Sequence, residues 1–340
     1  MTDEAAIPAA GRGLKEVARY IIGVAIGFVV LLLLFGKRSE LLPAWHELAH
    51  ADAGWTVAAV AAQALSLLTF AGLQHRVLRL AGADIPLGPL AGLSLANDAI
   101  ANTVPGEPAI SSAYRYRFYR RYGATGASAA WTIFTILVAQ AIGMSMLLLL
   151  GVLVAVTGGT GPRDVGVAVV GFAIVIAAVA VLVRRDVVLR LAEALTRAIA
   201  RVTGGAGQGG LATRIESTFA RMREIPLSAG STIGVVTIAA GVWFGDFLCL
   251  VCSFGAIHSA VPWNGVLLAY GVAQVAGSLP VVPGGIGIIE GSLTIILVDY
   301  GSGRPSALAA VLVYRIISFW LAIAVGWISV GVIAHRHGRG

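Results

Sequence analysis

The chain has almost no lysine and little charge of any kind. Of its 24 basic residues only Lys15 and Lys37 are lysines, and charged residues fill 12% of 340 positions. A soluble domain carries about a quarter charged residues, so a water-exposed globule of this length is excluded. Cysteine is scarce too. Cys249 and Cys252 lie inside an apolar run, which rules out a disulfide framework. A CxxC spacing with no partner pair reads as two small hydrophobes rather than a redox or metal centre. What remains is 58% hydrophobic, with mean hydropathy +0.87. That composition specifies an all-α, polytopic integral membrane protein.

Apolar runs predict spans near 18–36, 53–72, 125–157, 165–183, 228–257, 264–281 and 305–333, with a short run at 286–300. The basic lead Arg12, Lys15 and Arg19 before Tyr20–Phe35 resembles a signal peptide. Gly36-Lys37-Arg38 stands where a cleavage site would be needed, so the run is expected to be an uncleaved first span. Placing the N-terminus (1–17, with Arg19 at the mouth of the first span), 73–80, 112–122, 184–224 and the tail 334–340 on one side collects 19 of the 24 lysines and arginines. The positive-inside rule makes that side cytoplasmic. The count closes at about eight spans if 286–300 crosses, with both termini on the cytoplasmic side of the bacterial inner membrane. Segment 85–110 then enters and returns on the cytoplasmic side. The arginines sit in short loops beside spans, so they report topology and anionic lipid rather than nucleic acid.

The one sizeable polar insertion is 184–224. Val187, Leu191, Leu195 and Ile199 recur at near-helical spacing among its arginines, which predicts an amphipathic helix lying on the cytoplasmic leaflet. The glycine tract 203–210 behind it follows no strand and ends in no Gly-Lys-Ser/Thr. It is not a phosphate-binding loop, and no cofactor is expected.

Two proline-glycine breaks interrupt the apolar pattern. One is Val104-Pro105-Gly106-Glu107; the other is Val282-Pro283-Gly284-Gly285-Ile286-Gly287-Ile288-Ile289-Glu290. In a bilayer, free backbone groups and charges persist only where protein or a water-filled cavity surrounds them. The breaks therefore predict an internal polar site and a broken helix over 283–300. Pro105 and Pro283 are 178 positions apart, which suggests an internal repeat with the site at its interface.

Around the second break, Gly284, Gly285 and Gly287 allow close backbone approach. Glu290 requires a cation, for which Arg315 beside Tyr314 is the candidate. That pairing serves either as a lock between helices or as part of a binding site. Around the first, Asn102, Pro105 and Glu107 precede Arg115 and Arg117. Amide, carboxylate and guanidinium together suit a phosphate or an aminoacyl head group, with arginine giving the bidentate contact. Asp246 lies near the middle of an apolar span and is a candidate for coupling, or is bonded to a neighbouring helix.

A competing motif is His46-Glu47-Leu48-Ala49-His50, the HExxH arrangement of zinc proteases. It falls in a short loop between the first two spans, and no glutamate follows until Glu107. Trp45 and Trp55 make an interfacial loop helix the alternative reading. No metal site is expected there.

At these motifs the chain resembles the flippase-like membrane domain of lysylphosphatidylglycerol synthases. The residues that carry the likeness are Asn102-x-x-Pro105-Gly106, Tyr114-Arg115-Tyr116-Arg117 before Gly123, Pro283-Gly284-Gly285-Ile286-Gly287-x-x-Glu290, and Tyr314-Arg315. The resemblance implies a helical protein with re-entrant elements. It also implies movement of a phospholipid or lipid-linked head group between leaflets, with anionic or aminoacylated phospholipids as partners. The 340 residues leave no room for the synthases' aminoacyl-transferase domain, so lysyl transfer, or any enzyme activity, is not expected. A non-transporting accessory subunit for a lipid-linked glycosyltransferase is the alternative.

Overall fold

A computed structural model describes residues 50–103, 107–158, 228–278 and 283–337. Every regular element among them is helical. They are α1 (Ala53–Leu80), α2 (Leu87–Thr103), α3 (Glu107–Arg121), α4 (Gly126–Thr157), α5 (Ala229–Ala256), α6 (Val266–Gly277), α7 (Ile288–Asp299), α8 (Arg304–Arg315) and α9 (Ala322–His337). A π-helical turn, Ile316–Leu321, joins α8 to α9. The expected first span, the run 165–183 and the insertion 184–224 lie outside the described residues, as do Val104–Gly106. Residues 334–337, expected in the tail, continue α9.

Local chemistry explains where the long helices start. Asp52, Thr125 and Ser228 each have extended backbone, and each side-chain oxygen accepts the N–H three residues on. Such N-caps satisfy amides that no helical carbonyl reaches. Among the described residues, four helices are long and apolar enough to cross a membrane: α1, α4, α5 and the continuous run Arg304–Val332. The chain is an all-helical, multi-pass membrane protein.

α1 and α5 are both 28 residues long and start 176 positions apart. They run antiparallel through the centre. The Asp52 N–H donates to the Ala256 carbonyl at 2.7 Å, and Ser66 Oγ donates to the Val242 carbonyl at 2.7 Å. Gly245 lets the Ser66 backbone come within 3.1 Å of where a Cβ would stand, the small-residue contact expected between membrane helices.

Each of these helices is followed by a helical hairpin. α6 and α7 have 12 residues each, about 18 Å of helix. That falls well short of a hydrocarbon layer about 30 Å thick. Gly265, before α6, packs on Tyr300, after α7, and Gly277 packs on Ile289 near the tip. The runs expected to cross at 264–281 and 286–300 therefore fold back on one another. The parity of the topology is unchanged, because a hairpin and two crossings both return the chain to its starting side.

The first hairpin, α2 and α3, points the other way. Ser329 Oγ of α9 donates to the Gly92 carbonyl at 2.8 Å, Gly326 packs on Leu95, and Asn102 lies near the Gly284–Phe319 contact. α2 thus climbs antiparallel to α9, from the face bearing Arg76, Arg79, Arg117, Arg120 and Arg121 toward mid-depth. Neutral hydrogen bonds fasten it near that arginine-rich face. Tyr119 donates to Gln74 Oε1 at 2.7 Å, and Gln74 Nε2 donates to Ser94 Oγ at 2.7 Å.

The element order long helix, hairpin, long helix thus occurs twice, in opposite orientation. The arms are exchanged between halves. α4 closes on the second hairpin, where Gly151 meets Leu268 and Gly271 meets Leu148, while α9 closes on the first.

Candidate functional site

The tip of the second hairpin is made by left-handed glycines. Gly284, Gly285 and Gly287 have φ of 65, 61 and 82°. A side chain is disfavoured at such angles. At Gly284 a Cβ would also strike the Phe319 ring and come within 3.4 Å of Asn102 Oδ1. The bare glycine lets the end of α2 and the π-helical turn close over the Pro283–Gly285 turn, so the end of α2 meets the tip of the second hairpin. Arg315 is eleven residues into a span that begins at Arg304. That is about 17 Å of helix, near the middle of the hydrocarbon layer.

Charge is organised tightly here. Arg315 Nε donates to Glu290 Oε1 at 2.6 Å, and the Gly287 N–H donates to Glu290 Oε2 at 2.6 Å. Arg315 Nη2 donates to the Gly284 carbonyl at 2.9 Å, and its guanidinium lies over Phe319, 4.1 Å from the ring centroid. The Arg315 and Glu290 side chains are only 7% and 15% exposed. Glu290 occupies the first turn of α7, where the helix dipole favours negative charge. The protein's own carboxylate thus takes the position that a bound anion would seek. Arg315 has five N–H donors, and two are committed to acceptors among the described residues.

The other predicted residues scatter by distinct rules. Asn102 reaches the tip, its Nδ2 donating to the Asp98 carbonyl at 2.8 Å. Pro105 lies outside the described residues, and Glu107 is the first residue of α3. Arg115 turns inward over Phe70, 5.4 Å from the centroid, with a buried Nε that bonds nothing among the described residues. Arg117 is exposed. Tyr314 does not join Arg315. Consecutive helical residues point about 100° apart, and the Tyr314 hydroxyl donates to Asp246 Oδ2 at 2.7 Å.

Asp246 is a hub. Its Oδ2 also accepts from Tyr270 at 2.7 Å and Gln274 Nε2 at 3.0 Å, and Gln63 of α1 bonds the carboxylate as well. Sequence reading missed Phe319, Tyr270, Gln274 and Gln63. Gln274 could have been found as a polar residue just before a break. The aromatic residues carry no signal in an apolar run. Of the HExxH motif, His46–Ala49 lie outside the described residues.

Comparison with known proteins fits this architecture. The family described as the lysylphosphatidylglycerol synthase TM region matches residues 20–326. A UPF0104 membrane protein of Methanothermobacter thermautotrophicus is 32% identical over 97 residues, 28% of this chain and 29% of that one. A second match to that archaeon is 28% identical over 92 residues, 27% of each chain. An uncharacterized protein of Synechocystis is 32% identical over 85 residues, covering 24% of this chain and 26% of its own. The matched stretches thus span under a third of these relatives. The family match extends over most of the chain, through both hairpins and the Glu290–Arg315 pair. The chain belongs to the lysylphosphatidylglycerol synthase transmembrane-region family.

Proposed function

We propose that the protein is a flippase-like translocase. It moves a phospholipid, or a lipid-linked head group, across the bacterial inner membrane, with the arginine-rich face toward the cytoplasm. The observation that carries this reading is the meeting of the end of α2 with the tip of the oppositely directed second hairpin, beside a paired arginine and glutamate. A re-entrant tip is affordable only beside protein or water, and broken helices from opposed repeats are how transporters place a site at the midplane.

In this reading the head group travels through the polar interior while its acyl tails stay in lipid. Arg115 and Arg117 receive the phosphate at the arginine-rich face. Arg315 takes it at mid-depth with the donors that Glu290 and Gly284 leave open, and guanidinium suits phosphate because it binds bidentately. Glu290 holds Arg315 in place between turnovers and accepts a cationic group when the lipid carries one. Asn102 and the three tip glycines shape the passage.

The test is a head-group accessibility assay on purified protein in vesicles, run with Glu290→Gln and Arg315→Ala. Transfer in the wild type and its loss in both variants is the expected result. Wild-type protein that moves no lipid under any gradient would falsify the translocase and favour the accessory-subunit reading. Variants that match wild type would remove Glu290 and Arg315 from the site.

A further inference from the structure

The Asp246 cluster lies outside the head-group contacts, yet its geometry is that of a site rather than a brace. On α5, Ile233 and Phe244 are 66% and 50% exposed, marking the lipid side. Asp246, two residues after Phe244, points about 200° away from it, into the bundle. Tyr270 and Tyr314 are 0% and 2% exposed. Asp246, Gln63 and Gln274 are only half-buried. The Asp246 side chain thus points into the protein interior.

The charges around it do not balance within the described residues. α1 presents neutral Gln63, α6 presents Tyr270 and Gln274, and Cys249 lies one turn further along α5. α8 presents Tyr314, with Arg315 behind it and already paired to Glu290 of α7. Two carboxylates therefore share one guanidinium, and Asp246 is the one whose hydrogen bonds all come from neutral groups. A carboxylate inside a membrane with no cation of its own is stabilised by binding a proton.

The partner for that proton is present. Gln63 Oε1 is buried with no hydrogen-bond partner among the described residues, while the Gln63 side chain bonds Asp246. An amide carries donors at one end and an acceptor at the other. Rotating it about its last bond exchanges Nε2, which suits an ionised carboxylate, for Oε1, which suits a protonated one. No backbone movement is needed.

We propose that Asp246 is a reversible proton-binding site, read by Gln63, whose occupancy couples proton movement to the head-group site through Tyr314 and Arg315. The coupling half of this inference rests on the translocase reading; the proton site does not. Protonation takes a proton from water on one side and forms the carboxylic O–H donating to Gln63 Oε1. Deprotonation releases it to the other side. Neutralising Asp246 leaves Glu290 and Arg315 as a balanced pair. Reciprocity then requires that a phosphate at Arg315 raise the proton affinity of Asp246.

Two measurements on the full chain decide the matter. In the first, infrared titration of the protein in phosphatidylcholine vesicles follows the carbonyl stretch of protonated carboxylic acids. A titrating band that is missing in Asp246→Asn is expected. Tyr314→Phe, which removes a donor to the ionised form, should move the midpoint upward and keeps the test open if Asp246→Asn fails to fold. A wild-type protein with no titrating band, or one unchanged in both variants, overturns the proton site.

The second uses phosphatidylcholine–phosphatidylglycerol vesicles holding a trace of head-group-labelled phosphatidylethanolamine. One proton per lipid makes a pH difference of one unit drive about a tenfold accumulation. Asp246→Asn should keep downhill exchange and lose that accumulation. Accumulation that survives in Asp246→Asn sinks the coupling. Vesicles in which even wild-type protein exchanges no lipid sink the translocase reading and the coupling together, and leave the infrared titration to judge Asp246 alone.

Discussion

The two re-entrant hairpins share a backbone plan and little chemistry. Counting 178 positions back from Glu290 and Arg315 reaches Ser112 and Leu137; counting 176 back from Asp246 reaches Phe70. Each ionisable member of the second half's interior site thus corresponds by position to a neutral residue in the first. The first half has its own polar cluster, Gln74–Ser94–Tyr119, but it is neutral and lies near the arginine-rich face. Duplicated topology supplies two breaks: the second holds the Glu290–Arg315 ion pair, while the first places Glu107 at the start of α3.

The comparison breaks most visibly at the ion pair. Arg315→Ala leaves Glu290 buried without its partner, a change that costs about 3–5 kcal/mol. Thermal unfolding in detergent should drop accordingly and lipid transfer should vanish. Ser112→Ala at the corresponding place should stay within about 0.5 kcal/mol and transfer normally. Equal losses at the two positions would mean that the halves are functionally alike.

A smaller difference separates two left-handed glycines. Gly82 has φ of 77° and open space around its missing Cβ, whereas Gly284 has φ of 65° and the Phe319 ring in the way. Gly82→Ala should cost about 1–2 kcal/mol from backbone strain alone. Gly284→Ala should cost at least about 1 kcal/mol more, the lower end of an overpacking penalty, and should slow transfer. Denaturant titration of the two variants side by side reads the excess.

Tyr119→Phe sharpens the contrast from the first half. It leaves buried Gln74 Oε1 without its donor, at about 1–3 kcal/mol. Stability should fall while lipid transfer by the folded fraction is unchanged. The smallest effect is expected at Phe319→Leu, which removes the ring beneath Arg315, worth about 0.5–2 kcal/mol. Transfer should weaken without being lost, and a complete loss would show that the ring does more than hold the guanidinium.

The sequence signalled the second tip strongly, because Pro-Gly-Gly in an apolar run has few uses besides a break, and Glu290 so close to it demands a cation. The long helices were equally plain from hydropathy. The hairpin was harder to see. Residues 264–281 and 286–300 are apolar on both arms, and hydropathy measures the length of a run, not its direction. The Asp246 partners were hidden for another reason. A single Gln63 or Gln274 on an apolar helix has no pattern, and only folding brings α1, α5, α6 and α8 to one carboxylate. Tyr314 was placed with Arg315 by adjacency in sequence, and helical geometry turned the two apart.

The exchange of arms between halves has a consequence for how the chain is made. The Gly92 carbonyl waits for Ser329, 237 residues downstream. Until α9 has been synthesised, α2 lacks the helix that packs most extensively on it among the described residues, with only α1 and α3 in place beside it. A ribosome that stalled after α4 would leave a half-protein unable to complete itself. Biogenesis of this fold is therefore a single commitment that cannot be made in instalments, and separately expressed halves should survive membrane quality control only when produced together.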